Sequence, residues 1–272
     1  MNSKPKAGFF NFSGCSGCLL SILNCEDELL DIFNAAQVVS FLMANRGNLD
    51  ETWHSKAQTA SAKTDAELDL AFIDGSVTTR EQETFIKEIR ARTKTLVALG
   101  VCSCYGGLQA METGRSSFAR RYQQVYGTEP PTIVEAFESK PADAFVKVDH
   151  YIPGCPIDGK VFLHAYARLV RGLPPELPKV PVCTECKWRE NECLLLRDEI
   201  CLGPVTRSGC SARCPTNNTG CIGCFGPADE ANFASEVALL RSKKFNQETI
   251  ERKLRMFGGA RFAEMFSKTV RK

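Results

Sequence analysis

The sequence predicts an α/β protein: a parallel sheet wound by helices on both faces, then a cysteine-rich segment of irregular fold, then C-terminal helices. Three observations predict it. Continuous apolar runs alternate with helical patterns as far as residue 171, four prolines fall within residues 173–181, and eight of the 14 cysteines crowd into residues 183–224. Apolar strands alternating with helices signal a parallel sheet covered on both faces. A proline-dense stretch can be neither a helix interior nor a central strand, so the chain divides into a domain over 1–175 and another over 176–272.

The elements follow in order. Residues 6–12 read as a strand, 19–33 as a helix and 36–43 (AQVVSFLM) as a second strand. Residues 68–77 form a third strand, followed by a helix from Thr79, where Thr79-Arg80-Glu81-Gln82 supplies a capping box. Residues 94–101 and 144–151 are the fourth and fifth strands. A helix over 158–171 closes the domain, with Val161, Phe162, Ala165, Leu169 and Val170 at helical spacing. The expected architecture is flavodoxin-like and doubly wound. Residues 183–224 hold few large aliphatic side chains outside 194–196, and so thin a core needs metal or covalent staples. Residues 239–272 carry ten Lys or Arg against three Glu. There Ile250, Leu254 and Phe257, then Phe262, Phe266 and Val270, lie on helical faces either side of Gly258-Gly259. They read as two amphipathic helices packing on this chain or a partner, in preference to a membrane or nucleic acid.

Composition narrows the function. The 272 residues are 43% hydrophobic and 24% charged with a net charge of +2, which excludes a disordered chain. No uncharged apolar run approaches the ~20 residues of a membrane span. The opening MNSKPKAGFFNF shows neither twin arginines nor a small-residue cleavage site, so a cytoplasmic location is expected. Clustered cysteines in such a chain signal metal or redox chemistry rather than a disulfide framework. With only His54, His150 and His164 available, any metal is held mainly by thiolate, which selects zinc, cuprous copper or iron–sulfur groups.

The cysteines form two sets. Cys15 and Cys18 follow the first strand, Cys102 ends the fourth, and Cys155 lies just beyond the fifth. Ligand sites in open parallel sheets sit at the carboxyl ends of the strands, so these four thiols can meet on one edge, with neighbouring glycines allowing close backbone approach. Cys104 shares a loop with Cys102 and is the alternative ligand; Cys25, in the first helix, reads as a small core hydrophobe. The second set is Cys183, Cys186, Cys193, Cys201, Cys210, Cys214, Cys221 and Cys224, bracketed by two Cys-x-x-Cys pairs. Eight thiols make two tetrathiolate sites, and spacing alone leaves their partition open. Twelve ligands in three fours, with Cys25 and Cys104 left over, favour an iron–sulfur relay over structural zinc.

At this point the motifs resemble a family. Cys15-Ser16-Gly17-Cys18, Gly100-Val101-Cys102 with Tyr105-Gly106-Gly107, and Pro153-Gly154-Cys155-Pro156 resemble the proximal-cluster motifs of the small subunits of [NiFe] hydrogenases. The run from Cys201 to Cys210 and the closing Cys221-Ile222-Gly223-Cys224 resemble the distal and medial cluster region, and the match runs in order to about Pro227. The resemblance implies three [4Fe–4S] clusters carrying electrons between a nickel–iron centre on a large subunit and a further electron-transfer module. It assigns Cys15, Cys18, Cys102 and Cys155 to the proximal cluster. Cys210, Cys221 and Cys224 carry over to the medial cluster, where Cys214 offers a fourth ligand. Cys186 and Cys201 carry over to the distal cluster, with Cys183 in the place of the usual His and Cys193 completing the set. The all-cysteine sites look like those of cytoplasmic hydrogenases coupled to nicotinamide-reducing, sulfur-reducing or heterodisulfide-linked modules. The charged residue often found after the second proximal cysteine is replaced by Leu19 and Leu20. No nickel motif stands at 268–272, so no catalytic residue is expected on this chain. The competing reading is a freestanding iron–sulfur carrier or a quinone-reductase-type subunit. Such subunits usually carry adjacent cysteines where this chain has Cys102-Ser103-Cys104, and they lack the eight-cysteine insert.

Overall fold

Alternate residues of the first strand, β1 (Lys6–Asn11), enter two different cores, and this organises the sheet. Ala7 and Phe9 belong to the core on one face, Phe10 and the following Phe12 to the core on the other. The computed structural model describes residues 4–41, 43, 67–130 and 136–270, with side chains described through 259 and at 261. β2 (Gln37–Phe41), β3 (Leu68–Asp74), β5 (Thr93–Leu99) and β7 (His150–Ile152) join β1 in one sheet of spatial order β2-β1-β3-β5-β7, each neighbouring pair parallel. This is the flavodoxin-like order, with its switch point between β1 and β3. Both faces are dry, as a parallel sheet requires: Leu70, Phe72, Val97 and Leu99 point one way, Ala71, Ile73, Leu96 and Ala98 the other. On the first face Phe9 stacks between Phe41 (4.6 Å) and Phe72 (4.7 Å), and Phe72 meets Phe162 (5.9 Å) and Tyr166 (5.8 Å).

Helices α1 (Gly17–Leu23) and α2 (Leu29–Ala35) replace the single helix expected over 19–33. Three consecutive carboxylates, Glu26-Asp27-Glu28, fill the break; their side chains stay in water, and like charges so close oppose a continuous turn of helix. Helix α3 (Arg80–Ala91) starts where expected. Thr79 accepts from the Gln82 N–H at 3.2 Å, but Gln82 reaches back to the Thr78 N–H (2.9 Å), one residue earlier than in a standard capping box. The expected third strand, 68–77, is divided at Gly75 (φ 93°): β3 stops at Asp74, and β4 (Val77–Thr79) pairs antiparallel with β6 (Ala136–Lys140), a ribbon the pattern did not announce. The fourth strand ends at Leu99, not 101, because Gly100 takes a left-handed turn (φ 71°). Cys102 therefore sits on a short helix, α4 (Gly100–Tyr105), rather than at a strand end. The fifth strand shrinks to His150–Ile152 after a 3-10 turn at Ala142–Ala144. An aromatic helix, α5 (Phe118–Tyr126), lies on the surface, and α6 (Gly159–Leu169) closes the sheet. Asp158 caps α6 by accepting from the Lys160 and Val161 N–H groups, and Phe162, Ala165, Tyr166 and Leu169 are buried beneath it.

Beyond the proline linker come α7 (Val182–Trp188), the single turn α8 (Arg213–Thr216), α9 (Phe233–Ser242) and α10 (Gln247–Val270). The sparse aliphatics of 183–224 gain a core from outside: Val182, Leu202 and Val205 pack with Phe233, Val237 and Leu240 of α9 and Ile250 and Leu254 of α10. The apolar pattern did not announce α9. The break expected at Gly258-Gly259 is present as non-helical geometry at Gly259 within α10. Gly259 lies against the Tyr105 carbonyl, and Arg255 bonds the Thr113 carbonyl (3.0 Å), so α10 returns to the first half of the chain. The side chains of Phe262, Phe266 and Val270 lie outside the described residues. Among the described residues no helix is long and apolar enough to cross a membrane.

Candidate iron–sulfur sites

The carboxyl edge of the sheet gathers the first four cysteines. Cys18 enters α1 just past β1 and is buried, Cys102 is half-buried on α4, and Cys15 and Cys155 are exposed in their loops. Their sulfurs interact electrostatically: Cys102 with Cys155, Cys15 and Cys18, and Cys155 with Cys15. Glycines make the room. A Cβ on Gly100 would overlap Cys18 Sγ, one on Gly107 would lie 2.6 Å from Cys102 Sγ, and one on Gly17 3.2 Å from Cys15 Sγ. Burial pushes the Cys102 thiol up to about 11 and the Cys18 thiol higher still. The Ile157 N–H works against that shift by bonding Cys18 sulfur.

Sequence reasoning missed Asp74. It ends β3 at the switch point and is buried beside Cys18, with its Oδ2 lacking a hydrogen-bond partner. Desolvation raises its pKa, against the Cys18, Gly75 and Leu19 hydrogen bonds that lower it. The available signal was an acidic residue closing an otherwise apolar strand directly before a glycine. Cys104 is fully buried in the opposite core, its S–H donating to the Ala98 carbonyl (3.5 Å), and Cys25 donates to the Ser21 carbonyl (3.4 Å). His54 lies outside the described residues.

The eight later cysteines fall into two electrostatic groups. Cys183 interacts with Cys201, Cys186 and Cys193, and Cys201 with Cys193; Cys193 is exposed just before a 3-10 turn (Leu194–Arg197). Cys210 interacts with Cys214, and Cys224 with both and also with Cys155; Cys221 interacts with Cys201 of the other group and then with Cys224, so it lies between the two. Backbone N–H groups point at these sulfurs: Gly203 and Cys221 at Cys201, Arg213 and Ala212 at Cys210, Gly223 at Cys221. Glu185, between the paired cysteines of α7, ties the two groups by accepting from the Gly209 (2.9 Å) and Ala212 (3.1 Å) N–H groups. Asn191 donates to Cys186 Sγ (3.7 Å). Glu236 on α9 is buried near Cys183 and Cys201, with Oε1 unpartnered, and desolvation pushes it up to about 7.

The donor set fits iron–sulfur groups. Buried thiols resist ionisation, so thiolate ligation needs a cation beside them and N–H donors at sulfur, and the donors are in place.

Fold and thiol-rich loops thus define an iron–sulfur protein built on a doubly wound sheet. Residues 15–169 match the family model described as NADH ubiquinone oxidoreductase, 20 Kd subunit. The chain is 35% identical over 254 residues to sulfhydrogenase 2 subunit delta of Pyrococcus furiosus, spanning 93% of this chain and 98% of that one. It is 30% identical to an F420-non-reducing hydrogenase vhu subunit of Methanocaldococcus jannaschii, over 86% and 87% of the two chains. Among solved structures, a chain of an NAD+-reducing [NiFe]-hydrogenase is 26% identical with a TM-score of 0.51, covering 64% of this chain and 96% of that one. An actinobacterial-type NiFe-hydrogenase chain from Ralstonia eutropha H16 (16% identical, TM-score 0.60) covers 99% of this chain and 92% of its own, extending the likeness of fold through the cysteine-rich half. The chain belongs to this family, as an electron-transferring small subunit of a [NiFe] hydrogenase.

Proposed function

We propose that this subunit holds three [4Fe–4S] clusters: a proximal one on Cys15, Cys18, Cys102 and Cys155, a medial one on Cys210, Cys214, Cys221 and Cys224, and a distal one on Cys183, Cys186, Cys193 and Cys201. The observation that carries this reading is that eleven of these sulfurs fall into three interacting groups, 15/18/102/155, 183/186/193/201 and 210/214/224, with Cys221 lying between the last two beside Cys201 and Cys224. When bound, such clusters accept and release single electrons at potentials set by charge, hydrogen bonds to sulfur and exposure. The chain's own residues do the tuning. Backbone N–H groups bond the sulfurs, Asp74 and Glu236 put buried carboxyls beside two of the groups, and the packed core excludes water from Cys18, Cys201 and Cys221. Cys102 rather than Cys104 suits the proximal set, since Cys104 is spent in the core beneath α4.

The exposed Cys15 and Cys155, beside the half-exposed Leu20, mark the edge that a large subunit carrying the nickel–iron centre would cover. Exposed Cys193, near exposed Trp188 and Leu196, marks where electrons leave for a further subunit of flavin/nicotinamide, ferredoxin-like or heterodisulfide-linked type. The complex would work in the cytoplasm. The two domains would divide the labour, residues 1–175 carrying the proximal site and 176–272 the other two.

Replacing Cys18 tests the relay. Cys18→Ala should abolish hydrogen-dependent dye reduction by the complex while most iron stays bound, and full activity in that variant would refute it.

A further inference from the structure

Cys221 and Cys201 fall in different proposed ligand sets, yet the Cys221 N–H donates to Cys201 Sγ at 3.2 Å. The Leu202 N–H returns a bond to the Cys221 carbonyl at 3.0 Å, so the two segments lie side by side, one ligand's backbone against the other's sulfur. Gly220 makes the approach possible: a Cβ there would overlap the Ile200 carbonyl oxygen and lie 3.3 Å from Cys201 Cα. Gly220 is not among the glycines with positive φ, so glycine is needed here for space and not for torsion.

We propose that the Cys221 amide is the electronic bridge between the medial and distal groups, the path running from Cys221 Sγ through Cβ, Cα and N–H to Cys201 Sγ. The inference rests on the ligand sets proposed above. Electron tunnelling decays less steeply along bonds and hydrogen bonds than across an empty gap, and this path contains one hydrogen bond and otherwise covalent links. With both groups bound, one electron would leave the iron–sulfur group on one side and be taken up by that on the other, while the Cys221 amide keeps its proton. The same N–H sets a potential: donation to a ligand sulfur favours the more negative, reduced state and raises the midpoint of the distal group.

The test uses the intact complex carrying Gly220→Ala, compared with wild type and with Asn191→Ala. G220A forces the Cys221 segment off Cys201; N191A removes a different N–H from a distal sulfur, Cys186, and leaves the bridge intact. Iron content, EPR-monitored midpoint potentials and the rate of medial-to-distal electron exchange are measured. In G220A, iron should be unchanged, the distal midpoint lower and the exchange several-fold slower than its changed driving force accounts for. In N191A the distal midpoint should fall with no slowing beyond that driving force. Should G220A lose iron, multifrequency EPR of the fully reduced wild type supplies the answer: an isotropic exchange coupling between medial and distal groups supports the bridge, and a purely dipolar one overturns it. Three iron–sulfur signals in the wild type with G220A indistinguishable from it overturn the bridge alone. Absence of one of the three signals in the wild type overturns the ligand sets, and the bridge with them.

Discussion

Gly100 combines a backbone that L side chains rarely adopt with a sulfur where a side chain would go. Its left-handed turn ends β5 and swings Cys102 onto α4, and its missing Cβ leaves room for Cys18 Sγ. On the ligand sets proposed above, Gly100→Ala should therefore deplete iron from the proximal group while the other two keep theirs, read as a partial loss of iron per chain and of one EPR signal. Glu236 makes a second prediction of this kind. Its pKa in the folded chain, about 7 against an ordinary 4.5, means that the folded state holds a proton the unfolded chain has released. Its contribution to stability is complete below the unfolded value and is lost as pH rises through about 7, because the folded state binds more protons in that window. Anaerobic unfolding midpoints should fall between about pH 5 and about pH 8, and Glu236→Gln should flatten that dependence. A slope unchanged in E236Q would assign it to another group. Glu236 was not legible in the sequence, since nothing local marks a helical glutamate as buried; its burial comes from packing on the cysteine-rich half.

Among the elements, the strands declared themselves best. Continuous apolar runs placed β1, β3 and β5, since each is buried on both faces and needs no polar residue to show which way it points. The shortest pieces escaped: β4 and β6 pair as a ribbon of three and five residues, too short for a periodic signal. Helix α9 escaped too, because its apolar residues take their meaning from a core that distant loops complete. Phe72 is the test of the sheet's packing. It is fully buried between Phe9, Phe162 and Tyr166, so Phe72→Ala should cost about 3–5 kcal/mol, seen as a fall in the denaturant midpoint. The Thr79 cap of α3 is smaller in effect: Thr79→Ala should cost about 1 kcal/mol, and a neutral result would show that Gln82 and Thr78 hold the helix start without it.

In the whole molecule, the cysteine-rich half borrows its core from the C-terminal helices, and α10 then reaches back to Tyr105 and Thr113. This is why spacing alone left the eight cysteines unpartitioned. The groups are made by loops that long-range packing brings together, with Glu185 and the Cys221 amide as ties between them, and neither tie has a signature in sequence. The grouping of the sheet-edge cysteines was legible because each follows a strand of the parallel sheet, although Cys102 lies on the short helix after β5 and not at its end; Asp74 was not, because one acidic residue at a strand end has many meanings. All of this packing serves one task, electron transfer in a [NiFe] hydrogenase, with the nickel–iron centre proposed to lie on another subunit. The nickel-to-iron ratio of the complex, recovered anaerobically from the native host with a tagged copy of this chain, decides whether it does so. One nickel for at least ~13 irons is expected, twelve in three cubane clusters and one beside the nickel. Iron without nickel, or zinc in place of iron, would overturn the assignment.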